Sequence, residues 1–368
     1  MIGILTFHAS HNYGSMLQAY ALQTVLLDWG YDCKIINFRS DRQRIIYPEP
    51  GKFPQNKRWK RPFLFLLDLP YLSSLKKKYF YFEDFLQKEL NLTPEYATLE
   101  EIEKDIHQFD ILISGSDQIW NLSCQDFDWA YFLPFTNKIK KIAYAPSIGP
   151  NVKKIIENKG ISIAQDYIRQ YDCISAREMG TADFIKQISG KNAEVVLDPT
   201  ALVHKDHWLK FISPDPIVKE EYIFLYAPGY NKDICESAKK LSEVLNIKVV
   251  VSLPPDYKYF YPSFIYKCDV GPKEFLNLLY NARVVISGSF HAVLFSIYFS
   301  KPFYAINGNK DNRISNILSK LGLENRGVDG TQIEGSIKYI DNIDFSEVDK
   351  LFEIEKESSF DFLRQSLS

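Results

Sequence analysis

MIGILTFHASHNYGSMLQAYALQTVLLDWGYDCKIINF, residues 1–38, decides how the rest of the chain is read. The apolar run at residues 2–7 is short and bounded by polar residues, which predicts a buried strand. Residues 15–29 carry helix signposts: Ser15 followed by Gln18 has capping-box spacing, Leu22 and Leu26 share a face, and Gly30 can supply a left-handed stop. DCKIINF, residues 32–38, then predicts a second strand. Strand, helix and strand make a βαβ unit. The loop HASHNYG thus falls between the C-terminal end of a strand and the N-terminus of a helix, where open α/β sheets take their ligands.

The alternation recurs along the chain. A helix is predicted at 99–109, strands at 111–115 and 141–145, a helix at 152–170, a strand at 173–177, a helix at 178–188 and a strand at 194–198. Residues 199–221 carry three prolines and mixed charge, and the pattern then restarts with strand 222–227, helix 232–246, strand 248–253, helix 272–281, strand 283–288, helix 291–299, strand 302–306 and helix 312–321. At 368 residues the chain is too long for one ordinary core. The expected fold is α/β, with two Rossmann-like doubly wound domains facing a cleft. The expected boundaries are 1–205, with an insertion at 40–85, then 215–345, and a tail at 346–368 that packs back on the N-terminal domain. Within the insertion, RWKR (58–61) and KKKYFYFE (76–83) interleave basic and aromatic residues. They fit either a solvated segment with amphipathic helices or a face that meets an anionic polymer or membrane.

Composition excludes several classes. A net charge of −2 gives no global field toward nucleic acid. The five cysteines (33, 124, 173, 235 and 268) are scattered, with no C-x-x-C pair, so neither a disulfide framework nor a zinc site is expected and a reducing cytoplasm is the natural compartment. His8, His11, His204 and His207 show no metal-ligand spacing, and no metal is expected. MIGILTF lacks a basic leader, and FLFLLDLPYL (63–72) is broken by Asp68 and Pro70 and falls short of the ~20 residues of a spanning helix, so neither a signal peptide nor a transmembrane segment is expected.

Four places can carry chemistry. The loop after the first strand has a single glycine, Gly14, so it is not the dinucleotide fingerprint. Asn12, Tyr13 and the amides of the following helix can hold a hydroxyl-rich or anionic ligand, or Asn12 and Ser15 merely cap and turn the chain. SGSDQIWN (114–121) offers Ser116, Asp117, Gln118 and Trp120, able to stack on a sugar face and bond its hydroxyls; Asp117 fits a helix cap equally. In CISAREMG (173–180), Arg177 at a strand end can grip a carboxylate or phosphate bidentately, or join Glu178 in a structural ion-pair network. In SGSFHAVLFS (287–296), Ser289, Phe290 and His291 stand at a strand-to-helix turn beside anion-binding amides, although a capping or core histidine fits the same position. Arg313 and Arg326 flank the amphipathic stretch ISNILSKLGLEN.

Together, GILTFHASHNYGSMLQAYALQ, ISGSDQIWN, ISAREMGT and SGSFHAVLFSIYFSKPF, followed by RISNILSKLGL, resemble the ordered motifs of the polysaccharide pyruvyl transferase family. The resemblance implies a GT-B-like two-domain fold. It also implies transfer of pyruvate from phosphoenolpyruvate to two hydroxyls of a sugar, in a surface polysaccharide or its precursor, as a cyclic ketal with release of phosphate. No cofactor is implied beyond phosphoenolpyruvate as co-substrate, and the partners are a saccharide acceptor and peripheral contact with a membrane-bound precursor. By resemblance Arg177 binds the donor and His291 is the general acid or phosphate partner, with Ser289, Phe290 and Arg313 completing the donor site. Asn12, Tyr13, Gly14, Ser116, Asp117, Gln118 and Trp120 fall on the acceptor side. One departure stands out: many members carry an arginine two residues before this histidine, where this chain has Ser289, so Arg313, Arg326 or Lys301 would have to replace that charge. The competing expectations are a GT-B-type glycosyltransferase using a nucleotide sugar, with Glu274 as the available acidic residue, and a non-catalytic saccharide-binding protein.

Overall fold

The computed structural model describes residues 1–51, 69–135, 138–157, 159–228, 232–254, 259–329 and 340–368. The chain divides into two compact units. Met1–Pro48, Glu83–Val203 and Glu353–Ser368 form the first, and Glu49–Phe82 with His204–Phe352 form the second. Each unit holds a six-stranded parallel sheet, so the two-domain α/β, Rossmann-like architecture expected from the sequence is present.

The elements follow in order as β1 (Ile2–Leu5), α1 (Tyr13–Asp28), β2 (Cys33–Ile35), α2 (Asp41–Ile46), α3 (Leu72–Glu89), α4 (Leu99–Asp105), β3 (Ile111–Ser114), β4 (Lys140–Ala143), α5 (Val152–Ile156), α6 (Ile161–Ile168), β5 (Cys173–Ala176), α7 (Met179–Ser189) and β6 (Glu194–Val195). After them come α8 (Lys205–Leu209), β7 (Tyr222–Tyr226), α9 (Lys232–Leu245), β8 (Lys248–Val251), β9 (Ile265–Tyr266), α10 (Pro272–Asn281), β10 (Val284–Ser287), α11 (Phe290–Tyr298), β11 (Phe303–Ile306), α12 (Asn312–Lys320), β12 (Gly327–Val328) and α13 (Phe345–Leu367).

The first sheet runs β2-β1-β3-β4-β5-β6 and the second β12-β11-β10-β7-β8-β9. Strand order therefore reverses between β1 and β3 in one unit and between β7 and β10 in the other, and these reversals open the crevice in which such sheets bind ligands. Register places Leu5 beside Ser114 and Tyr226 beside Ser287, so the motif-bearing loops leave neighbouring strand ends. The central strands are buried on both faces, which is why they read as unbroken apolar runs.

Local chemistry explains where the elements begin and end. Helix α1 starts at Tyr13, not Ser15: Asn12 caps it, accepting from the N–H groups of Gly14 (3.0 Å) and Ser15 (3.3 Å). Ser15 is drawn away to Asp117, and Gln18 turns inward instead of closing a capping box. Gly30 does end the helix, at φ +81°, with Gly30 N–H donating to Leu27 O and Tyr31 N–H to Leu26 O, the two bonds of a Schellman stop. The predicted helix at 152–170 is two shorter ones, α5 and α6, and the two-residue strands β9 and β12 had no forecast. RWKR (58–61) and residues 63–68 lie outside the described residues; KKKYFYFE forms part of the amphipathic α3. In the first unit, the Ser359 hydroxyl on α13 accepts from Leu197 N–H (2.9 Å), and Phe360 packs on Trp29. No helix among the described residues is long and apolar enough to cross a membrane.

Two glycines separate backbone strain from crowding. Gly115 has φ +123°, and a Cβ there would lie 2.0 Å from Tyr144 O, whereas Gly190 has φ +78° with nothing within 4 Å. Gly190→Ala is expected to cost ~1–2 kcal/mol from the left-handed backbone alone. Gly115→Ala should cost clearly more, ~3 kcal/mol or above, because the Tyr144 backbone must also move. Denaturant unfolding of the two variants checks the order.

Candidate functional site

In the first unit, Gln18 ties the loop after β1 to the loop after β3. Its Nε2 donates to Thr6 Oγ1 (2.8 Å) and Ser15 O (2.8 Å), and its Oε1 accepts from Ser116 N–H (3.1 Å). Asp117 sits in the left-handed region at φ +73°, where an Asp is tolerated, and its Oδ2 accepts from Ser15 Oγ at 2.5 Å. Behind it lies Arg177, with a side chain only 1 % exposed. Its guanidinium reaches Asp198 at 3.1 Å, Asp117 at 3.6 Å and Glu178 at 3.7 Å. Hydroxyls satisfy the carboxylates further: Ser116 and Thr200 on Asp198, Ser147 and Thr181 on Glu178. Arg177 therefore does not stand open to a ligand. The structural ion-pair network, the second of the two readings of its motif, is what the structure holds.

Trp120 also departs from expectation. Instead of offering a sugar-stacking face, it is fully buried, its indole stacked on Phe132 (5.1 Å, 6°) and edge-on to Tyr171, with Nε1 donating to Tyr131 O at 3.3 Å. Tyr13 is buried as the first residue of α1 beside Gly14, and Gln118 accepts from Asn121. Only Asn12 of these is exposed, and its side chain serves the helix cap.

Nearer the surface the structure assembles groups that the sequence did not single out. Asp126, beyond β3, accepts hydrogen bonds from Ser10 Oγ (2.9 Å) and Tyr47 Oη (3.0 Å), and Gln43 Nε2 reaches Ser10 Oγ at 3.4 Å. Burial raises the Asp126 carboxyl above the ordinary range, the two hydroxyl bonds oppose this, and the Asp117 charge adds to the rise. Alongside, Glu83 binds His11 Nε2 (2.8 Å) and both terminal nitrogens of Arg39 (2.9 and 3.0 Å). Burial works to raise Glu83, but the bonds from His11 and Arg39 and the Arg39 charge overrule it and hold the carboxyl down to about 2. His8 is buried between Thr6 O and Asn37 Oδ1, and burial lowers its pKa. These residues come from separate loops and from the insertion, with no fixed spacing; the only hint was the His-rich loop after β1.

In the second unit, β10 delivers Ser287, Gly288 and Ser289 to the switch point. Ser289 N–H donates to Ser287 Oγ (3.0 Å), and the Ser287 hydroxyl donates to Tyr226 O on the adjacent strand β7. Ser289 is the N-cap of α11, yet its side chain makes no cap hydrogen bond. His291, 7 % exposed, is the second residue of that helix, edge-on to Phe290 at 5.2 Å. Of the cations weighed for the missing arginine, Arg326 is buried, donating to Ile340 O and Asn342 O (2.7 Å) beside the Tyr304 ring, and Lys301 lies over the Tyr280 ring. Arg313 forms a two-point pair with Asp311, the cap of its own helix α12, at 2.9 and 2.5 Å. Glu274 is spent on capping α10, accepting from Gly271 N–H at 3.0 Å, and burial raises its carboxyl. Among the described residues no group of three or more His, Cys, Asp or Glu side chains is arranged to hold a metal ion.

Against known proteins, a family model described as "Polysaccharide pyruvyl transferase" matches residues 12–310. No curated protein matches the sequence. Solved structures with similar folds include a UDP-N-acetylglucosamine 2-epimerase (TM-score 0.57, 14% identity, 100% of this chain and 94% of that one). The enzyme of that name from Rickettsia bellii is similar too (0.56, 11%, 100% and 95%), as is the UDP-GlcNAc 2-epimerase of Methanocaldococcus jannaschii (0.52, 12%, 93% and 93%). At these identities the likeness concerns the fold, which is of the GT-B-like two-domain kind.

Two stability outcomes follow from the first unit's charges. Arg177→Met leaves three buried carboxylates without their cation and is expected to cost ~3–5 kcal/mol, measured by denaturant unfolding. Glu83 has its pKa depressed from 4.5 to about 2. Its stabilising contribution is thus complete above about pH 4.5 and is lost as pH falls through about 2. Arg39→Met should move acid unfolding to higher pH and leave stability at pH 7 lower than wild type, as a pH series of thermal melts will show.

Proposed function

The chain belongs to the polysaccharide pyruvyl transferase family, and on that footing we propose that it transfers the pyruvyl group of phosphoenolpyruvate to two hydroxyls of a saccharide, forming a cyclic ketal and releasing phosphate. The observation that carries this reading is the start of α11, where Ser289 leaves the first-turn amides without a side-chain cap and His291 is the second helical residue. Phosphoenolpyruvate bears a phosphate and a carboxylate, which need hydrogen-bond donors at a positive helix end, and a methylene carbon, which needs a proton. His291 gives that proton, turning the methylene into a methyl group and leaving the neighbouring carbon oxocarbenium-like. One acceptor hydroxyl bonds to that carbon, the carbon–oxygen bond to phosphate breaks with its electron pair leaving on phosphate, and the second hydroxyl closes the ring. The two hydroxyl protons balance the one spent on carbon and the one the phosphate takes up.

Arg326 and Lys301 are engaged elsewhere, so Arg313 is the cation we assign to the donor, exchanging its Asp311 partner for the donor's carboxylate. Arg177 then acts at one remove, fixing Asp117 and the loop that carries it. The acceptor is read as a surface polysaccharide or its precursor and the compartment as the cytoplasm, in keeping with five cysteines held as thiols.

Incubation with phosphoenolpyruvate and a panel of methyl pyranosides carrying free diols, galactosides first, should give acceptor-dependent phosphate release and a ketal product by mass. His291→Ala is expected to lower kcat by ~100-fold or more. No release across the panel, together with no donor binding by calorimetry, would count against the reading; stabilisation by nucleoside diphosphates alone would point to a nucleotide-sugar enzyme.

A further inference from the structure

The loops that follow β1, β2 and β3 meet on one carboxylate of the first unit. Ser10 comes from the first, Gln43 and Tyr47 from α2 and its end, and Asp126 from the third. Both protein hydroxyls bond the same oxygen of Asp126, Oδ2, at 2.9 and 3.0 Å, and among the described residues no other side chain bonds Oδ1. Gln43 is 3 % exposed, and its Oε1 has no hydrogen-bond partner among the described residues. Turning the amide over does not help, because the single Ser10 proton already goes to Asp126 and an amino group would be orphaned in place of the carbonyl. Buried carbonyls are rarely left without a donor. The cluster is thus rich in acceptors and short of donors at the strand-order reversal where ligands enter.

Charge narrows the ligand class. Asp126 already feels Asp117, so a phosphate or carboxylate brought here would add a further negative charge. A neutral polyol brings hydroxyl donors without that penalty.

We propose that Ser10, Gln43, Tyr47 and Asp126 form the subsite for a neutral saccharide, with one ring hydroxyl donating to Asp126 Oδ1 and a second to Gln43 Oε1. Calling that saccharide the acceptor rests on the pyruvyl-transfer reading above; the binding chemistry does not.

Saturation-transfer NMR with methyl β-galactopyranoside and a set of other neutral methyl pyranosides tests it without any turnover. Wild-type protein should give transfer to at least one pyranoside, Asp126→Ala and Gln43→Ala should weaken its affinity ~10-fold or more, and the half-exposed control Lys239→Ala should leave it within ~2-fold. If Asp126→Ala does not fold, Tyr47→Phe and Ser10→Ala serve, with an expected ~3–10-fold loss. Unchanged affinity in these variants, or no binding of any pyranoside to wild type, overturns the proposal. Saccharide binding that depends on these residues with no phosphate released from phosphoenolpyruvate would sink the pyruvyl-transfer reading and leave the subsite standing. Turnover with saccharide affinity unchanged in the variants would do the reverse.

Discussion

One buried guanidinium sets the order of the first unit. Arg177, just past β5, draws in Asp117 from the loop after β3, Asp198 from beyond β6 and its neighbour Glu178 at the start of α7. Three carboxylates at that depth are tolerable only with the cation and the serine and threonine hydroxyls all in place, since a buried charge stripped of its partners is far costlier than the pair is stabilising. The network therefore fixes the loops together. Asp117, held by it, holds Ser15 and with it the first turn of α1; farther out, burial raises the Asp126 carboxyl and the Asp117 charge adds to that rise. A structural ion cluster thus fixes the loop after β3 and the start of α1 at the strand-order reversal.

How much of this was legible in the sequence depends on the range of the interaction. The βαβ start, the Schellman stop at Gly30 and the alternation through both units are encoded in neighbouring residues, and they appear as read. The first residue of α1 is not local: Ser15 has the spacing of a cap, but a carboxylate 102 positions away takes its hydroxyl and Asn12 caps in its place. Trp120 fails for a related reason. Its motif reads as a sugar platform, but Phe132 and Tyr171, distant in sequence, close an aromatic cluster around it. Ser10, Gln43, Tyr47 and Asp126 could not be grouped from the sequence, because their convergence depends on β2 and β3 flanking β1 and no periodicity records which loops become neighbours.

The two units use the same sheet logic with opposite polarity. At the reversal between β1 and β3 the Asp126 carboxylate and the Gln43 amide carbonyl are acceptors of hydrogen bonds, and the Ser10 and Tyr47 hydroxyls already donate to Asp126. At the reversal between β7 and β10 the presented group is the N-terminal end of α11, which donates them.

Ser289, at the position where the motif resemblance led to the expectation of an arginine, has a physical consequence. An arginine at position 289 would meet an anion with a full, mobile charge. Ser289 instead adopts an extended backbone, φ −99° and ψ 128°, spends its N–H on Ser287 and leaves the amides of the next turn without a side-chain cap. A helix N-terminus contributes the equivalent of about half a charge, fixed in direction and effective only within the first turn. An anion held at this end would therefore depend more on geometry and less on long-range attraction than one held by an arginine. Arg313 is paired with a carboxylate only two residues away, whereas Arg326 is buried between backbone carbonyls and an aromatic ring.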